Sequence, residues 1–283
     1  MKFFELNLEN SKLMMVQFAP KTADPKRHGH GMDYQLSIPL IGSPYIQFNH
    51  QTRRFHDKEW CITAPGEQHY HYSNENGSRL LLINFNQTFL EKVLMERLQE
   101  KIMLDINPWV EGSTEGFKKI ADRVMKQSIE SSLDFIELQE LEYEMASLLF
   151  AQSKGAHSEA WLGLSPKKVH PSLKKALDYI HDDTSTELNL DTLAQVSGMS
   201  KYYLIRLFRE YMGQTPSHYV QEIRLKKAEQ FLRSSSYDVT DIAFEVGFGS
   251  LNTFERLFKK KFGINPAEYR KKCRTSRILG DFS

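Results

Sequence analysis

The sequence has little cysteine, no long apolar run and no excess of either charge. Cys61 and Cys273 are its only two cysteines and lie far apart, so a disulfide scaffold and a Cys-x-x-Cys zinc site are both excluded. The longest strongly apolar run, residues 80–85, is too short to span a bilayer. The N-terminal residues are acidic where a signal peptide would need an unbroken apolar segment. These absences predict a cytoplasmic protein with no membrane partner.

The chain has 283 residues, of which 40% are hydrophobic and 26% are charged, as in a folded protein of one large or two ordinary domains. Its net charge is only +1, so the whole molecule has no general attraction for nucleic acid. The basic residues are nevertheless unevenly distributed, because residues 201–277 contain 16 basic and 8 acidic side chains. The C-terminal part therefore forms a basic block.

Hydrophobic periodicity predicts an α+β protein with several domains. Four segments rich in β-branched and aromatic residues, separated by turn signals, predict a small N-terminal barrel or sandwich: 36–41, 45–48, 60–64 and 79–85. After residue 88 the period becomes helical and predicts three helices. Residues 153–169 are polar and lack a sustained period. We therefore expect an N-terminal domain at 1–152, a linker at 153–169 and a second domain at 170–283.

The third predicted helix carries Leu138, Leu141, Met145 and Leu148 at the 3-4-3 spacing of a coiled-coil seam. This pattern has two interpretations. It can pair two protomers in a homodimer, or it can be the face of an ordinary amphipathic helix that packs on its own domain.

One internal repeat dominates the C-terminal domain, since residues 193–219 match residues 242–269. At an offset of 50 the identical pairs include Ser200/Ser250, Arg206/Arg256, Leu207/Leu257, Phe208/Phe258, Gly213/Gly263, Pro216/Pro266 and Tyr219/Tyr269. Each copy reads as a short helix, a turn containing glycine and a second helix opened by a serine N-cap. The pattern predicts two helix-turn-helix units.

Each second helix leaves a polar stripe opposite its apolar face. In the first copy the stripe is Lys201, Tyr202, Ile205, Arg206 and Arg209, and in the second it is Leu251, Asn252, Glu255, Arg256, Lys259 and Lys260. A single charged stripe is ordinarily a solvated face, but two matching stripes favour DNA binding. The helical period between the copies covers residues 215–233, which corresponds to about 28 Å. Adjacent major grooves on one face of a duplex lie about 34 Å apart, so one protomer could read two groove segments.

These motifs resemble the AraC/XylS family of bacterial transcription regulators over residues 170–272, most specifically in DVTDIAFEVGFGSLNTFERLFKKKFGINPAEYRKK. The resemblance implies an all-α domain of seven helices with two helix-turn-helix units, double-stranded DNA and RNA polymerase as partners, and activation as the common mode. It implies groove-facing positions at Tyr202, Ile205 and Arg206 in the first unit and at Asn252, Glu255 and Arg256 in the second. Ile205 would favour a thymine methyl group, and Glu255 a cytosine amine.

The N-terminal half contains His28-Gly-His30, Gln35 and Pro65-Gly66-Glu-Gln-His69, which resemble the two motifs of a cupin barrel. Domains of this kind in AraC-type regulators commonly bind an effector and dimerise, which implies a small-molecule effector such as a sugar. His28 and His30 at i, i+2 of a strand would point to the same side. With His69 they would offer three imidazoles, although Gln35 stands where cupins usually carry a carboxylate ligand.

Two interpretations of these histidines remain open at this point. They can line an effector pocket as hydrogen-bonding groups, together with Tyr34, Gln35 and the aromatic Trp60, or they can bind a metal as in a metal sensor or a cupin-type enzyme. We expect the first, with no resident metal or cofactor. No intact carboxylate ligand, nucleophile elbow or phosphate loop is recognisable in the sequence, so we do not expect an enzyme.

Overall fold

A computed structural model describes residues 2–48, 51–98, 104–130, 134–155, 171–182 and 188–280. Contacts divide the chain into two compact units. The N-terminal unit comprises Met1–Gln127 and Leu141–Pro166, and the helical unit comprises Ser128–Glu140 and Lys167–Ser283. Among the described residues, no helix is both long enough and apolar enough to cross a membrane.

The N-terminal unit is built on two antiparallel sheets. The larger has the order β1-β2-β8-β3-β6-β9 and the smaller the order β5-β4-β7. The strands are β1 Lys2–Asn7, β2 Ser11–Phe18, β3 Asp33–Ile41, β4 Tyr45–Phe48, β5 Gln51–Arg54, β6 Glu59–Thr63, β7 His69–Tyr72, β8 Ser78–Asn86 and β9 Trp109–Glu111. The four predicted strands are confirmed as β3, β4, β6 and β8, whereas the sequence reading missed the other five.

Strand pairing decides which side chains of the sheet can meet. Strand β3 pairs with β6 so that Gln35 lies opposite Thr63 and Ser37 opposite Cys61. Since side chains alternate between the two faces of a strand, Gln35 and Ser37 share one face and Leu36 points to the other.

The three helices that the periodicity predicts are present, with β9 between the first two: α1 Gln87–Leu98, α2 Glu115–Glu130 and α3 Phe135–Gln152. In α3, Leu141 and Met145 are 3% and 0% exposed within a single chain. A Cβ on Gly116 of α2 would lie 2.9 Å from Leu148, so this leucine also packs within the chain. Leu141 and Met145 cannot reach a second protomer from these positions. For Leu141 and Met145 the interpretation as a dimer seam is therefore corrected in favour of internal packing, whereas Leu138 and Leu148 are half-buried and for them the seam stays a prediction.

The helical unit contains seven helices in the described part of residues 171–280, in agreement with the predicted all-α domain. They are α4 Pro171–Asp182, α5 Leu190–Ser197, α6 Lys201–Met212, α7 Pro216–Ser234, α8 Val239–Glu245, α9 Leu251–Phe262 and α10 Pro266–Gly280. Helices α5 and α6 form the first helix-turn-helix, and α8 and α9 form the second. The fold class of the whole chain is thus α+β, with an antiparallel β unit followed by an all-helical domain.

The identical pairs of the repeat build the same packing twice. Phe208 and Tyr219 meet edge to face at 5.8 Å between ring centroids, and Phe258 and Tyr269 repeat this contact at 5.4 Å. Gly213 and Gly263 both adopt a positive φ at the C-termini of α6 and α9, a conformation that costs glycine little. The repeated residues therefore maintain the same packing in both helix-turn-helix units.

The boundary between the units differs from the expected one. Most of the expected linker, residues 156–169, lies outside the described residues, and so does residue 170. Residues Ser128–Glu140 group with the helical unit, although the sequence placed them inside a domain at 1–152. Their polar contacts are the reason: Asp134, Gln139 and Glu140 all bond to residues of α5 or α7.

The burial of α3 gives a stability prediction. We expect Met145→Ala to lower the free energy of unfolding by about 2–5 kcal/mol, because it leaves a cavity in the core. Met95→Ala on α1, where the side chain is 51% exposed, is the matched control and should change it by less than about 0.5 kcal/mol. Urea unfolding and size-exclusion chromatography provide the two measurements. A Met145→Ala protein of normal stability but smaller assembly would show that the seam is an interface after all.

Candidate nucleic-acid interface and ligand site

The first recognition helix, α6, begins where Ser200 caps it by accepting a hydrogen bond from the Tyr203 amide at 3.2 Å. Two arginines of its predicted stripe remain accessible, with Arg209 exposed and Arg206 half-buried. The Arg206 guanidinium lies over the Tyr203 ring, 4.8 Å from its centroid. This cation–π contact restrains the arginine before any ligand arrives. Tyr203 was not among the predicted site residues, although it lies three residues before Arg206 and therefore on the same side of the helix.

Two predicted members of the first stripe are placed differently from expectation. Ile205 is only 5% exposed, so it cannot contact a thymine methyl group in this conformation, and that prediction is corrected. Its i+1 position relative to Leu204 brings it to the edge of the apolar face. The Lys201 ammonium lies 2.7 Å from Asp191 Oδ1 of α5, and its side chain is 12% exposed. Lys201 therefore ties the start of α6 to the helix before it. Tyr202 is half-buried.

The second recognition helix, α9, presents a more open stripe than α6. Ser250 caps it, and Asn252, Glu255, Lys259 and Lys260 are exposed, while Arg256 is half-buried. Leu251 differs from expectation because it packs against the core cluster of this helix-turn-helix. The basic last turn complements the negative end of the helix dipole. This surface can therefore attract phosphate without weakening the helix.

The three histidines of the cupin-like motifs lie together, but His28 and His30 precede β3 and are not on the strand that the sequence predicts. His28 and His69 exchange two backbone hydrogen bonds of 2.9 Å, which brings the two segments together. The ring centroids of His28, His30 and His69 are 4.8–5.2 Å apart. One nitrogen from each ring lies within 4.8 Å of the others, which is close enough to share one divalent metal ion.

Gly29, between the two histidines, lets another chain segment approach. A Cβ at this position would lie 2.7 Å from Gln68 Nε2 and 3.2 Å from the Glu67 carbonyl oxygen. The His-Gly-His sequence therefore allows the loop that precedes His69 to pack directly on it.

Neutral amides surround the histidine cluster. Gln35, which is almost fully buried, places Oε1 2.8 Å from His69 Nε2 and Nε2 2.7 Å from His30 Nε2. The Asn84 amide nitrogen lies 3.1 Å from His30 Nδ1. Gln35 thus occupies the place of the usual carboxylate and connects two imidazoles by hydrogen bonds.

Burial keeps these imidazoles neutral. It lowers the pKa of His69 to about 3, with a further contribution from the charge of His71, and it lowers the pKa of His30 to about 4, assisted by the charge of His28. At neutral pH both rings are therefore uncharged and can offer a lone pair to a hydrogen-bond donor or a metal.

A fourth histidine, His71, extends the cluster, although it was not among the predicted effector-binding residues. His71 is fully buried, with Nε2 2.9 Å from the Ser37 hydroxyl and Nδ1 3.1 Å from Asp24 Oδ2. Burial alone would raise the pKa of Asp24, but its hydrogen bonds and charge interaction with His71 lower it below its ordinary value. Because His71 lies two residues after His69 on β7, the alternation of side chains along a strand predicts that both face the same side.

Tyr34 and Trp60, predicted as pocket residues, lie on the other face. Tyr34 neighbours Gln35 on β3 and therefore points away from the histidines, with its hydroxyl 3.4 Å from the Leu104 carbonyl oxygen. Trp60 is fully buried edge to face against Phe117 of α2, at 5.4 Å between centroids. Both residues belong to the core, and their assignment to the effector pocket is corrected.

The N-terminal unit also has cavities away from the histidines. One of about 440 Å³ is lined by residues that include Arg53, Trp109, Gln152 and Lys154. The Arg53 guanidinium lies 4.0 Å from the centroid of the Trp109 ring and is ion-paired with Glu59 at 2.6 Å. This cavity can admit a small molecule, so the histidine cluster has a competitor as the ligand site.

Comparison with known proteins places the helical unit in a family. A family model described as "Helix-turn-helix domain" matches residues 193–272. The regulatory protein SoxS of Salmonella typhimurium is 36% identical over 98 residues, which cover 35% of this chain and 92% of SoxS. The transcriptional activator RhaS of an Enterobacter species is also 36% identical over 98 residues, which cover 35% of each chain.

One solved structure matches the same kind of domain. A Chromobacterium violaceum transcriptional regulator, described as containing an AraC-type DNA-binding domain, is 33% identical and has a TM-score of 0.35, with 36% of this chain and 92% of that one covered. The sequence identity to SoxS over nearly all of its length, together with two capped helix-turn-helix units, identifies the family. This chain belongs to the AraC-type family of DNA-binding transcription regulators.

Proposed function

We propose that the protein is a transcription activator that acts as a homodimer, responds to a small uncharged effector and contacts RNA polymerase. The printed name of RhaS, an activator, supports the direction of regulation. The proposal of an uncharged effector rests on one observation, the neutral, polar and largely buried cluster of His30, Gln35 and His69 in the N-terminal unit. In this proposal the protein works in the cytoplasm, where its DNA lies, and has no catalytic role.

In this proposal the two recognition helices divide the work of DNA binding. Arg206 and Arg256 occupy equivalent positions of α6 and α9, and each can form a bidentate contact with guanine O6 and N7. The exposed Arg209, Lys259 and Lys260 provide phosphate contacts, which position the protein without reading sequence. Asn252 and Glu255 on α9 are exposed and add contacts to base edges.

The effector we propose is a neutral molecule rich in hydroxyl groups, such as a sugar. His30, His69, Gln35 and Asn84 are all uncharged at neutral pH, and Asp24 is already paired with His71. A charged ligand would therefore lose hydration without meeting an opposite charge in this cluster. Hydroxyl groups can donate to the imidazole lone pairs and accept from the amides.

A second candidate function is metal sensing, which the geometry of His28, His30 and His69 favours. Three imidazoles, with one nitrogen of each within 4.8 Å of the others, can together bind zinc or nickel. Gln35 would be a weak fourth ligand, because a neutral amide carries no charge to offset that of the ion. The metal would then be the signal itself.

The arginines give the first test of DNA reading. The DNA used in this test is a duplex that the full-length protein selects from a random pool. We expect Arg206→Ala and Arg256→Ala each to cost about 1–3 kcal/mol of binding and to relax the preference at one base position. Arg54→Ala, on the surface of the N-terminal unit, is the matched control and should bind normally. A loss that is equal on every sequence would instead assign these arginines to phosphate.

The histidine cluster gives the second test, by thermal shift of the full-length protein against sugars, other neutral metabolites, zinc and nickel. We expect a neutral metabolite to raise the melting temperature of the wild type, and His30→Ala to remove most of that shift. His56→Ala, an exposed histidine of the same unit, is the control and should keep it. If only zinc or nickel raises the melting temperature, the effector is a metal ion and the proposal of a neutral metabolite is wrong. A metabolite shift that survives in His30→Ala would point to the 440 Å³ cavity.

The neutral imidazoles also give a pH prediction. The folded pKa values of His30 and His69, about 4 and about 3, lie below the unfolded value of 6.5. Between pH 6.5 and 4 the unfolded chain therefore binds more protons, so the stability of the N-terminal unit falls as the pH drops through this window. Tryptophan fluorescence follows this unit through Trp60 and Trp109, which both belong to it. We expect a shallower pH dependence in His30→Gln than in the wild type or His56→Gln.

A further inference from the structure

The start of α3 bonds to both helices that flank the first recognition helix. Gln139 and Glu140 are adjacent, are both buried, and belong to the residues that group with the helical unit. They lie about 50 residues before the region matched by the family model, which starts at residue 193. The DNA-binding unit therefore recruits polar groups from outside the matched domain.

Glu140 completes the N-terminus of α7, the helix that follows α6. Its Oε1 accepts from the Ser217 amide at 2.7 Å, and its Oε2 accepts from the Ser217 hydroxyl at 2.6 Å. The amide of Ser217 has no partner inside its own helix, because it lies in the first turn. A carboxylate at this end of the helix also interacts favourably with the positive end of its dipole. Burial raises the pKa of Glu140 to about 7, and its hydrogen bonds with Ser217 and Thr215 and the charge of Arg209 on α6 oppose part of this rise.

Gln139 does the same for α5, the helix that precedes α6. Its Oε1 accepts from the Leu190 amide at 3.1 Å, and its Nε2 donates to Asp191 Oδ2 at 2.8 Å. The other oxygen of Asp191 lies 2.7 Å from the ammonium of Lys201, the first residue of α6. A continuous polar chain thus runs from Gln139 through Asp191 to the start of the recognition helix.

Asp134, just before α3, adds a third contact. Its Oδ2 accepts from Arg224 Nη1 at 2.9 Å in the middle of α7, where Arg224 is almost fully buried. A buried guanidinium needs a partner of opposite charge, so this contact fixes α7 along its length as well as at its end.

We propose that Gln139 and Glu140 are positioning residues for DNA reading by the first helix-turn-helix. They bracket α6: Gln139 acts on its start through Asp191 and Lys201, and Glu140 acts on its end through Ser217, which follows the short turn after Met212. No equivalent contact from α3 to α8 or α9 occurs among the described hydrogen bonds. The two residues therefore influence one half of the DNA contact and leave the other half unchanged.

The test uses full-length protein and the duplex that the wild type selects from a random pool, at a temperature well below unfolding. Arg206→Ala and Arg256→Ala first assign each half of the hydroxyl-radical footprint to α6 or α9. We expect Gln139→Ala and Glu140→Gln to bind about tenfold more weakly, because the first loses both amide hydrogen bonds and the second loses the carboxylate oxygen that accepts from the Ser217 hydroxyl. Protection should be lost in the α6 half and kept in the α9 half.

Glu142→Gln is the matched control. It is on the same helix, and its carboxylate also accepts from a backbone amide, that of Asn10 at 2.7 Å, and from the Ser11 hydroxyl at 2.9 Å, all within the N-terminal unit. It should lower the melting temperature but leave the affinity for the duplex within about twofold. This control separates loss of stability from loss of positioning.

Two outcomes would overturn the proposal: unchanged affinity and footprint in folded Gln139→Ala and Glu140→Gln, or equal loss of both halves. If either variant fails to fold, Asp191→Asn and Ser217→Ala test the same contacts from the partner side. Each removes one interaction and should weaken binding by about threefold with the same one-sided footprint. A normal footprint in both partner variants would equally reject the positioning role.

Discussion

The helical unit depends on finding partners for the amide hydrogens at the start of each short helix. A helix-turn-helix has many helix starts for its length, and each start leaves amides that the helix itself cannot satisfy. Asn189, Ser200, Thr215 and Ser250 satisfy some of these by capping α5, α6, α7 and α9. The buried starts of α5 and α7 need more than a local cap, and Gln139 and Glu140 provide it from α3.

In the N-terminal unit the corresponding constraint is the alternation of side chains along a strand. Alternation on β3 sends Gln35 and Ser37 to the histidines, while Tyr34 packs on the other side. Alternation on β7 likewise turns both His69 and His71 inward, where each finds a polar partner. The polar cluster is therefore held by the regular geometry of the sheet, and burial lowers the pKa of His30 and His69 within it.

The features that could be predicted from sequence are those encoded within one or two turns of chain. The serine caps and the apolar face of α9 both follow from local spacing. The wrong predictions also come from reliance on residues that are near in sequence. Trp60 was grouped with the histidines by nearness in sequence, although only its strand register determines which face it occupies. The bond from Glu140 to Ser217 joins residues 77 positions apart, so no local pattern could reveal it.

The internal repeat separates residues kept for folding from residues kept for another reason. Six of the seven identical pairs named above have a structural role: the serines cap, the glycines end helices at positive φ, the prolines begin helices, and the leucine, phenylalanine and tyrosine pairs pack in or against the core. The pair Arg206 and Arg256 is different, because both side chains are half-buried on the polar stripe, outside the core. The cation–π contact of Arg206 with Tyr203 does not explain arginine in both copies, since the residue three positions before Arg256 is Thr253. The proposed contact of each guanidinium with a base edge or a phosphate would require arginine at both positions.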